Sequence, residues 1–353
     1  MTRLSKLQAV LKEEKMDAIL VTSPYNLRYI SNFTGTTGLA VVTQEKAYFV
    51  TDFRYTKQAA DQAKGFTIVR NAGPIFKEVE KIVDENKIET LGFEDAFVSF
   101  RDYDELESML ASDLVPASGY IEELRQVKDE EEIQLIKDAC AISDAAFTYI
   151  LDHIKPGISE IEIANKLDFF MREKGASGVS FETIVASGYR SAMPHGVASD
   201  KLIEQGDFVT LDFGCYYKGY VSDMTRTVSV GQPDPKLKEI YDIVLQAQLR
   251  VNEQAKAGMT GIEVDAIARD YITKKGYGEN FGHSNGHGIG LEIHEGPNTS
   301  MKSPHVLVEN NVITNEPGIY IDGLGGVRIE DDLLITKDGN EVLTFSPKEL
   351  IIL

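Results

Sequence analysis

The segment Leu211–Thr227, LDFGCYYKGYVSDMTRT, constrains the fold more than any other stretch of the chain. With the preceding EQGDFVT it reads as two β-strands joined by a tight turn at Tyr217-Lys218-Gly219, because apolar and polar residues alternate through much of it. Asp212 and Asp223 fall inside these strands. A hairpin centred between Tyr217 and Lys218 sets the two aspartates face to face. Directly opposed residues share a face, with Cβ atoms roughly 5 Å apart, and like charges so placed repel. A sheet that keeps such a pair needs positive charge between the carboxylates.

Bulk properties narrow what could supply it. A chain of 353 residues with 42% hydrophobic content folds into a globular structure, most simply as two domains. Its formal charge of −20 argues against a nucleic-acid surface, which needs lysine and arginine to neutralise phosphates. Cys140 and Cys215 match no CxxC pattern, which sets aside a disulfide framework and a thiolate zinc ribbon. The N-terminus, MTRLSKLQAVLKEEKMDAIL, carries charges every few residues and contains neither a signal-peptide core nor a membrane span. The expectation is a cytoplasmic protein that binds neither membrane nor nucleic acid.

Short apolar runs alternate with helical patterns up to about residue 122: DAILVT, LAVV, AYFV, FTIVR and ETLGFE as strands, FRYTKQAADQAK, PIFKEVEKIVDENK and DYDELESMLAS as helices. LAVVTQEKAYFV forms a hairpin across Gln44-Glu45-Lys46. No glycine-rich phosphate fingerprint is present, so no nucleotide is assigned. From Leu124 the texture changes. LRQVKDEEEIQLIKDACAISDAAFTYILDHI predicts one long amphipathic helix with Ile133, Ile136, Cys140 and Phe147 near one face, ending at Lys155-Pro156-Gly157. Ser159-Glu160-Ile161-Glu162 reads as a capping box opening a helix to about Lys174, followed by the strand FETIVAS. Two further helices are expected near Pro235–Ala257 and Ile262–Lys275, then a glycine-rich, strand-like end from Gly282. No internal repeat is evident. The domains expected are 1–123, a mixed-sheet α/β unit, and 124–353, giving an α/β (α+β) chain overall.

The histidines are unevenly placed. His195 lies in SAMPHGVASD, while His283, His287 and His294 fall within FGHSNGHGIGLEIHEG among Gly282, Gly286, Gly288, Gly290 and Gly296. Glycines let backbone and side chains crowd around a centre, and these lack the GxGxxG spacing of a dinucleotide loop. Glu316 precedes a Pro-Gly turn in VITNEPGIYI. In GGVRIEDDLLIT an extended strand points Arg328, Glu330 and Asp332 one way and Val327, Ile329 and Asp331 the other. Such a row is either a wet face or part of a site. Asp212, Asp223, one imidazole, Glu316 and Glu330 together make an oxygen-rich donor set suited to a pair of divalent ions such as Mn²⁺, with Co²⁺ or Zn²⁺ as alternatives.

SGYRSAMPHG, LDFGCYYKGYVSDMTRT, GHSNGHGIGLEIHEG, NEPGIY and GGVRIED, in that order, resemble the two-domain pita-bread metallopeptidases: Xaa-Pro dipeptidase (prolidase) and Xaa-Pro aminopeptidase (aminopeptidase P), with methionine aminopeptidase and creatinase as relatives. The likeness is specific from about Leu124 onward and looser in the N-terminal, creatinase-like domain. It implies a pita-bread catalytic domain in which Asp212, Asp223, His287, Glu316 and Glu330 are the metal ligands, Asp212 chelating one ion and Asp223 and Glu330 bridging two. It further implies roles beside the metals for His195, His283 and His294, for Arg328 next to the last ligand and for Tyr320 after the Glu-Pro-Gly turn. Asn315 departs from the pattern, standing where relatives commonly carry an aliphatic residue. A homodimer is the family's default.

Two cations acidify a shared water, and Glu316 is placed to take its proton. His294 and His195 are the candidates for steadying the oxyanion. An Xaa-Pro bond has no N–H on its nitrogen, and its ring obstructs ordinary peptidases. Proline-containing peptides are the expected substrates. The compact chain, with no added segment to close the site, points to aminopeptidase-type or mixed activity. Methionine aminopeptidase needs no N-terminal domain of ~120 residues. Creatinase and an inactive binding protein on this fold are disfavoured by the presence of all five ligand positions.

Overall fold

Apolar runs of four or five residues, separated by helical stretches, build the first unit of the structure, Met1–Arg125. The computed structural model describes all of residues 1–353. This unit runs α1 (Arg3–Glu13), β1 (Ala18–Val21), α2 (Pro24–Ser31), β2 (Leu39–Thr43), β3 (Ala47–Thr51), α3 (Thr56–Gln62), β4 (Thr67–Arg70), α4 (Phe76–Asn86), β5 (Thr90–Phe93), α5 (Phe100–Met109), β6 (Asp113–Pro116) and α6 (Tyr120–Gln126). The six strands lie in the order β4-β3-β2-β1-β5-β6, with β2 antiparallel to both neighbours and the other pairs parallel. The four residues of β1 are all buried, as expected for a strand covered on both faces. Two elements escape the sequence patterns. The helix α2 is only eight residues long and is started by Ser23, whose side chain accepts from Asn26 N–H, with Pro24 in its first turn. The strand β6 is a four-residue edge ending in Pro116, a place where a missing N–H does no harm.

The second unit, Gln126–Leu353, holds α7 (Glu130–Leu151), α8 (Glu160–Glu173), β7 (Gly178–Val179), β8 (Ile184–Ser187), β9 (Phe208–Phe213), β10 (Cys215–Tyr217), β11 (Tyr220–Val221) and β12 (Met224–Ser229). It continues with α9 (Pro235–Gln254), α10 (Gly261–Lys274), β13 (Gly286–Gly288), β14 (Glu295–Thr299), β15 (Val312–Asn315), β16 (Gly318–Ile321), β17 (Gly325–Arg328), β18 (Asp331–Ile335) and β19 (Asn340–Val342). The single long helix expected from Leu124 is two. Asp129 caps α7, accepting the Glu132 N–H while the Glu132 carboxylate accepts the Asp129 N–H, both at 3.0 Å, and the chain breaks ahead of it. Ser159 and Glu162 form the expected box at the start of α8.

This unit contains the repeat that the sequence did not reveal. A helix pair followed by antiparallel strands occurs twice, as α7-α8 with β8-β9-β12 and as α9-α10 with β13-β15-β18, the strands neighbouring one another in the same order. Left-handed glycines match, Gly157 with Gly258 and Gly175 with Gly276, as do the capping boxes at Ser159 and Thr260. Each half packs its own apolar core, one around Phe147, Leu167 and Leu211, the other around Val244, Val264 and Leu333.

The hairpin register is a correction to the sequence reading. Lys218 and Gly219, at φ +48° and +92°, form a two-residue turn, so the hairpin centres between them. Asp212 therefore pairs with Thr225, not with Asp223. Continuing the register places Asp223 across from Gly214, two residues along from Asp212, so the two aspartates are diagonal neighbours on one face. The row Arg328, Glu330, Asp332 is also not one strand: β17 pairs with β16, and β18 begins after a break at Ile329-Glu330 and pairs with β15.

Candidate metal centre

Strand ends and the turns beside them carry the four carboxylates, and a short strand carries the imidazole. Asp212 lies near the end of β9, Asp223 just before β12, His287 in β13, Glu316 one residue past β15 and Glu330 between β17 and β18. Their side chains line one cavity of about 560 Å³ together with His195, His283, His294 and Arg328. A ligand atom from each of Asp223, His287 and Glu330 lies within 4.8 Å of the other two. His287 Nε2 is 3.6 Å from Asp223 Oδ2 and 3.5 Å from Glu316 Oε1. Its Nδ1 lies 3.0 Å from Gly288 O and so carries the proton, which leaves the Nε2 lone pair facing the carboxylates.

The electrostatics are those of a crowded, dry anionic cluster. Burial, then the neighbouring carboxylates of Glu330 and Asp212, push Asp223 well above the ordinary range; burial with Glu316 and Asp212 does the same to Glu330. Burial raises Glu316 to about 8. His287 is lowered to about 4 by burial, so it is a neutral donor at pH 7. Asp212 Oδ1 is buried without a hydrogen-bond partner. An orphaned carboxylate oxygen among like charges is costly, and a cation relieves both penalties at once. The residues therefore fit divalent ions: four carboxylates, one neutral imidazole and one oxygen left free for a ligand bond.

A directional chain fixes Asp212. His283 Nδ1 lies 2.8 Å from Ser284 O, and burial lowers this imidazole to about 4, so Nε2 accepts from Tyr320 Oη at 2.9 Å. The Tyr320 oxygen in turn accepts from Arg328 at 2.7 Å, and Arg328 donates to Asp212 Oδ2. His283 is thus tied into this chain, whereas His195 and His294 are exposed on the cavity wall. The His294 ring stands 4.3 Å from that of His287, and burial and the nearby His195 lower its pKa.

Two of three further partners were not singled out from sequence, and the third, Asp332, entered only as a member of the charged row. Thr225 donates to Glu330 Oε2 at 2.6 Å, Thr314 to Glu316 Oε1 at 3.2 Å, and Asp332 Oδ2 accepts the Asp223 N–H at 3.0 Å. Each stands two residues from an acidic donor, Thr225 from Asp223, Thr314 from Glu316 and Asp332 from Glu330, so strand alternation was the available signal. The departure at Asn315 also has its account. This buried side chain donates to Gln248 O (3.0 Å) and Asn252 Oδ1 (2.8 Å) and accepts from Asn285 (3.2 Å), so a polar network replaces apolar packing.

Comparison with known proteins bears on the whole chain. Residues 134–337 match the model of metallopeptidase family M24, and residues 3–127 that of the creatinase/prolidase N-terminal domain. The structure of an Xaa-Pro dipeptidase from Bacillus anthracis is 56% identical with a TM-score of 0.98, and the match covers 99% of both chains. The Xaa-Pro dipeptidase of Pyrococcus furiosus is 43% identical over 99% of each chain. An X-Pro aminopeptidase from Thermotoga maritima is 42% identical with a TM-score of 0.91, covering 96% of this chain and 98% of that one.

Proposed function

The chain belongs to metallopeptidase family M24, with a creatinase-like unit ahead of a pita-bread catalytic unit, and from that premise we propose that it hydrolyses Xaa-Pro bonds with two divalent ions held by Asp212, Asp223, His287, Glu316 and Glu330. The observation that carries this reading is the convergence of the Asp223, His287 and Glu330 donor atoms within 4.8 Å, beside an Asp212 oxygen with no other partner. When bound, the ions acidify a water and polarise the scissile carbonyl. Glu316 takes the proton of that water and returns it to the prolyl nitrogen, which has no N–H of its own and leaves only once protonated. Thr314 holds one Glu316 oxygen during this exchange. His294 and His195, on the open side of the cavity, donate to the developing oxyanion. Arg328, Tyr320 and His283 act at one remove, keeping Asp212 turned so that Oδ1 stays free.

Xaa-Pro dipeptides come first in this reading, on the strength of two whole-chain relatives bearing that name, and N-terminal Xaa-Pro units of longer peptides second, on the Thermotoga maritima relative. Mn²⁺ is the proposed ion, and a cytoplasmic homodimer the proposed form. No helix of the structure is long and apolar enough to cross a membrane. The test is cleavage of Leu-Pro and of an Arg-Pro-Pro-containing peptide with Mn²⁺, Co²⁺ or Zn²⁺ added in turn to chelator-treated protein. Release of the first residue that depends on added metal is the expected result. Hydrolysis unchanged without metal, or none on either substrate, would reject the reading.

A further inference from the structure

We propose that Glu182 gives this enzyme a preference for substrates with a cationic side chain, lysine or arginine, on the residue preceding proline; the inference rests on the Xaa-Pro reading above. Away from the donor cluster the cavity wall is largely apolar, built from Phe181, Ile184, Pro194, Val197 and Ile293. Glu182 stands on that wall, exposed, in the segment leading into β8, two residues before Ile184. Its carboxylate forms no hydrogen bond or ion pair within the chain.

Every other acidic side chain lining the cavity belongs to the proposed ligand set. Glu182 is therefore the one acidic side chain on this wall outside the donor cluster, free to meet a cation on a bound peptide. A carboxylate on a largely apolar wall suits one kind of side chain. The stem of lysine or arginine packs along Phe181, Ile184 and Val197 while its charged head reaches Glu182. A side chain such as methionine packs on the wall equally well but gains nothing from the carboxylate, and an acidic one is repelled.

The experiment compares kcat/KM for Arg-Pro, Met-Pro and Glu-Pro in the metal-loaded wild type, Glu182→Gln and Glu182→Lys, at low and high salt. In wild type, Arg-Pro should exceed Met-Pro by about fivefold, the scale of a well-placed exposed ion pair, and the margin should shrink with salt. Glu182→Gln should abolish the margin and leave Met-Pro within about twofold of wild type, and Glu182→Lys should turn the preference toward Glu-Pro. A margin that survives in Glu182→Gln would overturn the proposal. So would an equal loss on all three substrates, which would place Glu182 on the common α-ammonium group. Failure of wild type to cleave any of the three would overturn the Xaa-Pro reading and this proposal with it. The position is exposed, so both variants keep the fold.

Discussion

The two halves of the C-terminal unit share a scaffold and differ in what they hang on it. Gly157 N–H donates to Ile203 O and Gly258 N–H to Leu307 O; Ile161 N–H donates to Ser199 O and Ile262 N–H to Ser303 O. Aligning the halves through the pairs Ser187↔Val209 and Gly288↔Ile313 sets Asp212 beside Glu316, so both halves present a carboxylate at the same strand end. The same alignment sets Ala186 where the second half has His287. It also places Thr225 where the second half has Glu330, and Thr225 spends its hydroxyl on that glutamate. At the start of the second helix of each pair, the first half buries Glu160, whose carboxylate accepts from Ser187 and Ser199 N–H and pairs with Arg190. The second half has Gly261, where a Cβ would lie 2.2 Å from Asn298 O. Asp212 and Glu316 apart, shared positions build the fold and unshared ones build the chemistry. The asymmetry puts the imidazole and both glutamates on one side and the two aspartates on the other.

The comparison breaks most visibly at an unshared donor. Asp223→Ala should empty at least one metal position and reduce turnover to background; two ions per chain by elemental analysis would contradict the assignment. Glu316→Ala and His294→Ala should each lower kcat by about a hundredfold or more, the scale of losing an acid–base or an oxyanion group. Near-normal turnover in either would reject its role. Tyr320→Phe, which cuts the chain from His283 to Arg328, should weaken metal binding by about tenfold, at the lower end of what such outer partners contribute. Titration with a competing chelator measures it, and unchanged affinity would show that Arg328 holds Asp212 unaided.

The smallest expected effect concerns pH and sharpens the same contrast. Folding the metal-free chain raises Glu316 and Asp332 to about 8, chiefly through burial, so between the ordinary carboxylate range and pH 8 the folded state binds more protons than the unfolded one. Stability then falls as pH rises through that window, with the buried His283 and His287 offsetting part of the change below their ordinary value. The metal-free protein should melt at lower temperature at pH 8 than at pH 5, and added Mn²⁺ should flatten the difference. A metal-free protein whose Tm rises over this range would contradict the burial assigned to the cluster.

Much of this was legible in the residues. The capping box at Ser159, the hairpin around Gln44-Glu45-Lys46 and the helices α9 and α10 follow from local chemistry that tertiary packing leaves intact. The acidic residues and histidines of the cavity stood out because charge inside strands and glycines among histidines have few bland explanations. What stayed hidden depends on geometry that composition does not encode. The hairpin register turned on Lys218 adopting positive φ, which a lysine rarely does, and a centre displaced by one residue moved the partner of Asp212 by two. The repeat was concealed because its matching pieces, KPGISEIE at 155–162 and KAGMTGIE at 256–263, keep only cap, glycine and a few apolar positions while the functional residues diverge. The break before Asp129 was missed because the apolar pattern runs through it. Only the cap at Asp129 marks the new start.

Anomalous diffraction from crystals grown with Mn²⁺ tests the central claim most directly. Two peaks are predicted in the cavity, each within bonding reach of side chains drawn from Asp212, Asp223, His287, Glu316 and Glu330. A single peak, or strong peaks away from these five side chains, would contradict the assignment of a two-metal centre assembled from both halves.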